Sequence, residues 1–137
     1  MGNKRGEIRA ALKALLETNL SGYTVLTSRQ VSLSALEQLP GIIIYTPDEP
    51  VTQEAMGSKR YIRNLELRIE LTIEATEDTD DDLDTRIKDI ETLMSNNPSI
   101  SGTVLATTQI HTQTDLGVDG DKYIGIGTMI FECKYVS

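Results

Sequence analysis

The residues best equipped for chemistry sit in one run, Asp80-Asp81-Asp82-Leu83-Asp84-Thr85-Arg86-Ile87-Lys88-Asp89-Ile90-Glu91. Counted from Asp80, acids fall at the first, third, fifth and twelfth places, with isoleucine at the eighth. That is close to the ligand pattern of an EF-hand calcium loop. The sharp turn of such a loop demands glycine at the sixth place, where Thr85 stands. A strand, not a helix, also runs into the segment. Leu83, Ile87, Ile90 and Met94 step through the run at helical spacing, so it reads as a helix with an acidic N-terminus, where the macrodipole favours acids. What stays open is a weak divalent-cation site on Asp80, Asp82 and Asp84, with Mg²⁺ as an assembly ion. A two-metal hydrolase needs acids converging from separate elements. Consecutive acids on one turn diverge instead.

Other reactive types are sparse. His111 is the only histidine and Cys133 the only cysteine. The first lies in a Thr/Gln-rich strand and the second on an apolar parity of the last strand, so both read as structural rather than as a Cys–His nucleophile pair. The sequence has no phosphate loop, dinucleotide fingerprint, GxSxG elbow or zinc spacing. Gly125-Ile126-Gly127 has no helix after it, so it marks a bend or a close backbone approach rather than a phosphate cradle. These residues point away from an enzyme.

The elements that position them are clear in places. Tyr61 to Ala75 alternates, with Leu65, Leu67, Ile69, Leu71 and Ile73 on one parity and Asn64, Glu66, Arg68, Glu70, Thr72 and Glu74 on the other. A period of two means a strand with one buried and one wet face, in an antiparallel sheet covered on one side. The wet face is expected to be acidic, with a single Arg68. Glu7 to Leu20 reads as an amphipathic helix through Ile8, Ala11, Leu12, Leu15 and Leu16, stopped at Ser21-Gly22. Tyr23–Thr27 is a short extended segment, and 29–36 is ambiguous. Ile42 to Tyr45 is a β-branched strand ended by Thr46-Pro47, followed by a long loop over 48–58. Glu77 to Asp82 is an acidic connector into the second helix, which stops at Asn96-Asn97-Pro98. Thr103–Thr112 is a strand, 115–122 a polar turn region, and Tyr123–Val136 the last strand.

The expected fold is therefore α+β: a two-layer domain with a mostly antiparallel four- to five-stranded sheet and two helices packed on one face. The 137 residues fit one domain, 1–137. Hydrophobic residues make up 39% and Trp is absent, so the core must be aliphatic. A lone cysteine cannot close an intrachain disulfide, and no stretch is long and apolar enough for a signal segment or membrane span. A soluble protein made in the cytosol is expected, with no membrane partner. The net charge of −8 argues against binding nucleic acid through phosphates. Basic residues cluster at Lys4–Lys13 and Lys59–Arg68, and acids at Glu77–Asp84, which suggests self-association.

Element order and several strings resemble one family. These are Ile8-Arg9-Ala10-Ala11-Leu12 in the first helix, an isolated Arg29, Leu39-Pro40-Gly41-Ile42-Ile43-Ile44-Tyr45, then Glu49 in the loop. The long alternating strand follows, then an acidic connector with Leu83-Asp84 opening a helix, and a last strand ending near Tyr135. Across essentially the whole chain this resembles the bacteriophage tail terminators, of the minor tail protein U type in lambda-like siphophages. The more positive N-terminus and the Gly125/Gly127 pair depart from that pattern.

The resemblance implies a structural virion protein at the head-proximal end of the tail, made in the host cytoplasm. It implies a hexameric ring that caps the tail tube protein, ends polymerisation and meets the head-completion or neck protein. DNA would pass through the lumen without specific binding. Around such a ring each subunit needs two different complementary patches. The candidates are Lys59, Arg60 and Arg63 against Asp80 and Asp82. Candidate tube or neck contacts are Asp48, Glu49, Glu54, Asp119 and Lys122. Two readings from other classes compete. One is a small acidic binding or regulatory domain acting as monomer or dimer, and the other is a metal-dependent hydrolase on Asp80, Asp82 and Asp84.

Overall fold

The long alternating segment lies in the interior of a sheet that carries both helices on one face. The computed structural model describes residues 4–27, 40–47, 51–52, 62–75, 77–119 and 122–136. In chain order the elements are α1 (Lys4–Asn19), β1 (Thr24–Leu26), β2 (Gly41–Tyr45), β3 (Val51–Thr52), β4 (Ile62–Glu74), α2 (Thr79–Asn96), β5 (Ala106–Asp119) and β6 (Lys122–Val136). The sheet runs β1-β2-β4-β6-β5, with β3 added beside the start of β4. β1 and β2 are parallel, and the other pairings are antiparallel. This is the expected α+β architecture.

The buried parity of β4 is the expected one. Leu65, Leu67, Ile69 and Leu71 are fully buried and Ile73 is 2% exposed. β2 sets Ile44 and Ile42 beside Ile69 and Leu71, while β6 sets Cys133, Phe131 and Met129 beside Leu65, Leu67 and Ile69. Ile8, Leu12 and Leu16 of α1 and Leu83, Ile87, Ile90 and Met94 of α2 close this core, with Leu15 only partly buried against it. The spacing of each set is one helical stripe, so the apolar area removed from water holds the layers together. Gly22, at φ +87°, supplies the left-handed residue that ends α1.

Gly125 and Gly127 mark a close approach, of helix to sheet. A Cβ at Gly125 would lie 2.7 Å from Thr79 Cγ2, and one at Gly127 would lie 2.8 Å from Ile87 Cδ1. The missing side chains let α2 settle onto β6.

Several boundaries differ from those read in the sequence. α1 begins at Lys4 and α2 at Thr79, so Asp80, Asp81 and Asp82 form the first turn of the helix rather than a connector. The expected loop over 48–58 contains β3. Residues 98–103 form turns, and β5 starts at Ala106 and runs on to Asp119. The polar turn expected over 115–122 is therefore mostly strand, and Asp119 pairs with Lys122 across the hairpin end. Pairing with β6 overrides the turn preference of Asp115 and Gly117. The second face of the sheet is not simply wet either. Ile43, Thr72 and Ile124 on that side are buried, and Glu66, Arg68 and Glu70 are half-buried. Among the described residues, no helix is long and apolar enough to cross a membrane.

Candidate assembly surfaces

The sheet register places charged residues at both ends, with Lys122 at the second and Glu132, opposite Glu66, toward the first. β4 runs from Ile62, opposite Val136, to Glu74, opposite Ile124. At about 3.3 Å per residue these ends lie roughly 40 Å apart. Arg63 and Lys134 stand at the first end, Arg63 half-buried and Lys134 exposed. Arg5 and Arg9 of α1 lie toward that half, since both reach Thr46, just past the end of β2. Arg5 donates to the Thr46 carbonyl, and Arg9 Nη1 donates to Thr46 Oγ1 at 2.7 Å. Lys4 lies 4.0 Å from Glu7 in a surface pair worth little.

Acids gather at the other end. Thr79 sits against Gly125, which places the first turn of α2 above the start of β6. Glu77, Asp80, Asp81 and Asp84 are exposed there, as are Glu74 and Asp115. Asp82 is turned aside, accepting from Arg86 Nε at 2.8 Å. Arg86 also donates to the Tyr23 hydroxyl at 2.9 Å and lies 5.3 Å from that ring's centroid. Burial alone would lower the Arg86 pKa; its bonds to Tyr23 and Asp82 outweigh that and raise it. The Asp82–Arg86 pair thus ties α2 to the segment leaving α1.

Among the described residues, the groups weighed from the sequence stand apart. Residues 80–91 lie on one continuous helix, and among the described residues no three His, Cys, Asp or Glu side chains converge as metal ligands would. His111 pairs with Ile130 on the open face, while Cys133 is buried on the helix face with Thr107 Oγ1 3.8 Å from its sulfur. Burial pushes the Cys133 thiol up to about 11, the reverse of an activated nucleophile. On the open face Arg68 Nε donates to Glu66 at 2.8 Å, and that bond raises the Arg68 pKa. The expected acidic face is thus partly neutralised by its own arginine.

Of the expected patch residues, Arg63, Asp80 and Asp82 fall at opposite ends of the sheet, and Asp119 and Lys122 form the hairpin end. Lys59, Arg60, Asp48, Glu49 and Glu54 lie outside the described residues. The sequence reading missed the apolar end of the hairpin. Leu116, Val118 and Tyr123 are 62%, 65% and 70% exposed. Register puts Val118 beside Tyr123 and Leu116 beside Gly125, on the helix face. The signal was present as apolar residues two apart, hidden among the turn-forming Asp115, Gly117 and Asp119.

The described residues thus form a two-layer α+β domain with charged groups at both ends of the sheet and an exposed apolar hairpin end. In fold the chain is similar, over all of both chains, to a chain described as "Virion of native gene transfer agent (GTA) particle", with a TM-score of 0.54 and 11% identity. At that identity the likeness speaks for the fold. No family model and no curated protein matches the chain.

Proposed function

We propose that this chain is a structural virion protein of a phage-type tail. Six copies close into a ring on the end of the tail tube. The ring ends polymerisation and presents its other side to a head-completion or neck protein. DNA passes through without specific binding, and the chain catalyses nothing. The observation that carries this reading is the separation of basic and acidic zones to opposite ends of β4, because a heterologous contact needs two different patches on each subunit. The full-length fold likeness to a chain of a virion supports it. Lys59, Arg60 and Arg63 of one copy face Asp80 of the next, with Asp82 beside it held by Arg86. The hairpin end at Asp119 and Lys122 and the segment with Asp48, Glu49 and Glu54 face the tube or neck.

Light scattering tests the ring, which has six times the 15.1 kDa mass. Electron microscopy of purified tail tubes tests the capping. The acid excess, 21 against 13, means that repulsion accumulates on closure. Moderate NaCl or Mg²⁺ should therefore strengthen association by screening over a Debye length of about 10 Å at 0.1 M salt. A chain that stays monomeric at every concentration and salt, and leaves tubes uncapped, would instead be a small acidic binding domain.

A further inference from the structure

The end of the β5–β6 hairpin overhangs the start of α2. Beneath it lies a cleft of about 380 Å³, with Leu116, Gly117 and Tyr123 on the hairpin side and Thr79, Glu77 and Asp80 on the helix side. Leu116, Val118 and Tyr123 are each more than half exposed, although they face the same side of the sheet as the core. Glu77 and Asp80 make no ion pair among the described residues. The cleft therefore offers an apolar floor with an acidic rim. Its complement is a large apolar side chain with Lys or Arg beside it.

The chain carries that complement at its other end. Ile62 and Val136 are side by side in the β4–β6 register, each half-buried, with Lys134 exposed next to them. One copy cannot bring these ends together, because β4 spans the roughly 40 Å between them as an ordered strand. We propose that the cleft receives the Ile62/Val136 end of a second copy of this chain. This makes Leu116 and Tyr123 behind the hairpin tip, not charge alone, the specific part of the contact between subunits, and leaves the tip at Asp119 and Lys122 to the tube or neck. The proposal rests on the ring reading and deepens it. Apolar burial at the centre with charges at the rim is the usual division of labour in such contacts, the rim setting partner choice and the centre the lifetime.

Sedimentation velocity over a concentration series tests it. Leu116→Ser with Tyr123→Ser should weaken self-association at least tenfold while circular dichroism and Tm stay as in the unmodified chain; Val118→Ser should act in the same direction. Glu77→Lys with Asp80→Lys, and separately Arg63→Glu with Lys134→Glu, should each weaken association. Mixing those two charge variants should restore it, since each supplies the complement of the other. If the hairpin variants associate like the unmodified chain while the charge variants do not, the cleft proposal falls and the ring reading stands. If the unmodified chain stays monomeric throughout, both fall.

Discussion

β4 and β5 flank the same strand, β6, over nearly equal lengths of 13 and 14 residues, yet they meet opposite surroundings. Every odd-numbered residue of β4 from Leu65 to Ile73 is at most 2% exposed. From Ala106 to Val118, only Thr107 and Gly117 of β5 are less than exposed. Natural edge strands are commonly protected by Lys, Pro or a bulge. β5 has a bulge between Gln109 and His111 but no Lys, Arg or Pro. The difference teaches where stability and contact are divided: β2, β4 and β6 hold the fold, and β5 is kept polar, long and open at a cost in buried area.

The largest test of that division is truncation. Leu67→Ala or Ile69→Ala should cost about 2–5 kcal/mol in urea unfolding, because each leaves a cavity between two layers. A loss below 1 kcal/mol would mean that β4 is not the centre of the core. The half-buried pair Glu66–Arg68 on the open face is the contrast within the same strand: Glu66→Ala should cost about 1 kcal/mol, less than either core truncation.

Cys133 probes β6 from between its neighbours, with Leu65 on one side and Thr107 on the other. Its folded pKa is raised to about 11 by burial, from an ordinary value of 9.0. The unfolded chain therefore releases the thiol proton first as pH rises. The stability associated with this group is fully present below pH 9 and is lost as pH climbs toward 11. About two units correspond to roughly 2–3 kcal/mol. Unfolding measured from pH 8 to 11 should show a steeper alkaline decline in the unmodified chain than in Cys133→Ala. Parallel curves would place the thiol in contact with water.

How much of this was legible depended on period. β4 and α2 follow periods of two and 3.6 through their apolar residues, so type, face and core membership could be read directly. The glycine pair was legible as a close approach because two glycines in an apolar strand have little other use. β5 was not legible beyond Thr112. Asp115, Gly117, Asp119 and Gly120 are turn formers by local preference, and only pairing along β6 makes strand of the described ones. The half-buried second face was hidden for a related reason: Thr72 and Ile43 are buried by arrangement in space, which a single strand's alternation does not encode. The polarity of charge between the two ends needed the register, since Arg63 and Lys134 are far apart in sequence and near in the sheet.

Gly125 sharpens the comparison at a single residue, lying between Ile73 of β4 and Leu116 of β5. A Cβ there meets Thr79 Cγ2 at 2.7 Å and Leu83 Cδ1 at 3.1 Å, on a branched side chain with little freedom to retreat. At Gly127 the nearest atom is the tip of Ile87, Cδ1, which can turn aside about χ2, with Cγ1 behind it at 3.1 Å. Gly125→Ala should therefore cost about 1–3 kcal/mol by overpacking, and more than Gly127→Ala. Equal effects would mean that α2 shifts as a rigid body instead of yielding side chain by side chain.

The smallest effect on folding is expected on the open hairpin, and it matters most for function. Ile110→Thr, Leu116→Thr and Val118→Thr each replace an exposed apolar residue with a good strand former, so each should change unfolding stability by no more than about 0.5 kcal/mol. Folding gives no reason to keep three large apolar side chains in water beside a polar edge. If thermal and urea unfolding show losses above 1 kcal/mol, these residues belong to the core of the isolated chain and the division between β4 and β5 fails. If stability is unchanged but association weakens for Leu116→Thr and Val118→Thr and not for Ile110→Thr, the contact is confined to the hairpin end above α2. Loss with all three would spread it along the whole edge of β5, as backbone pairing between copies requires.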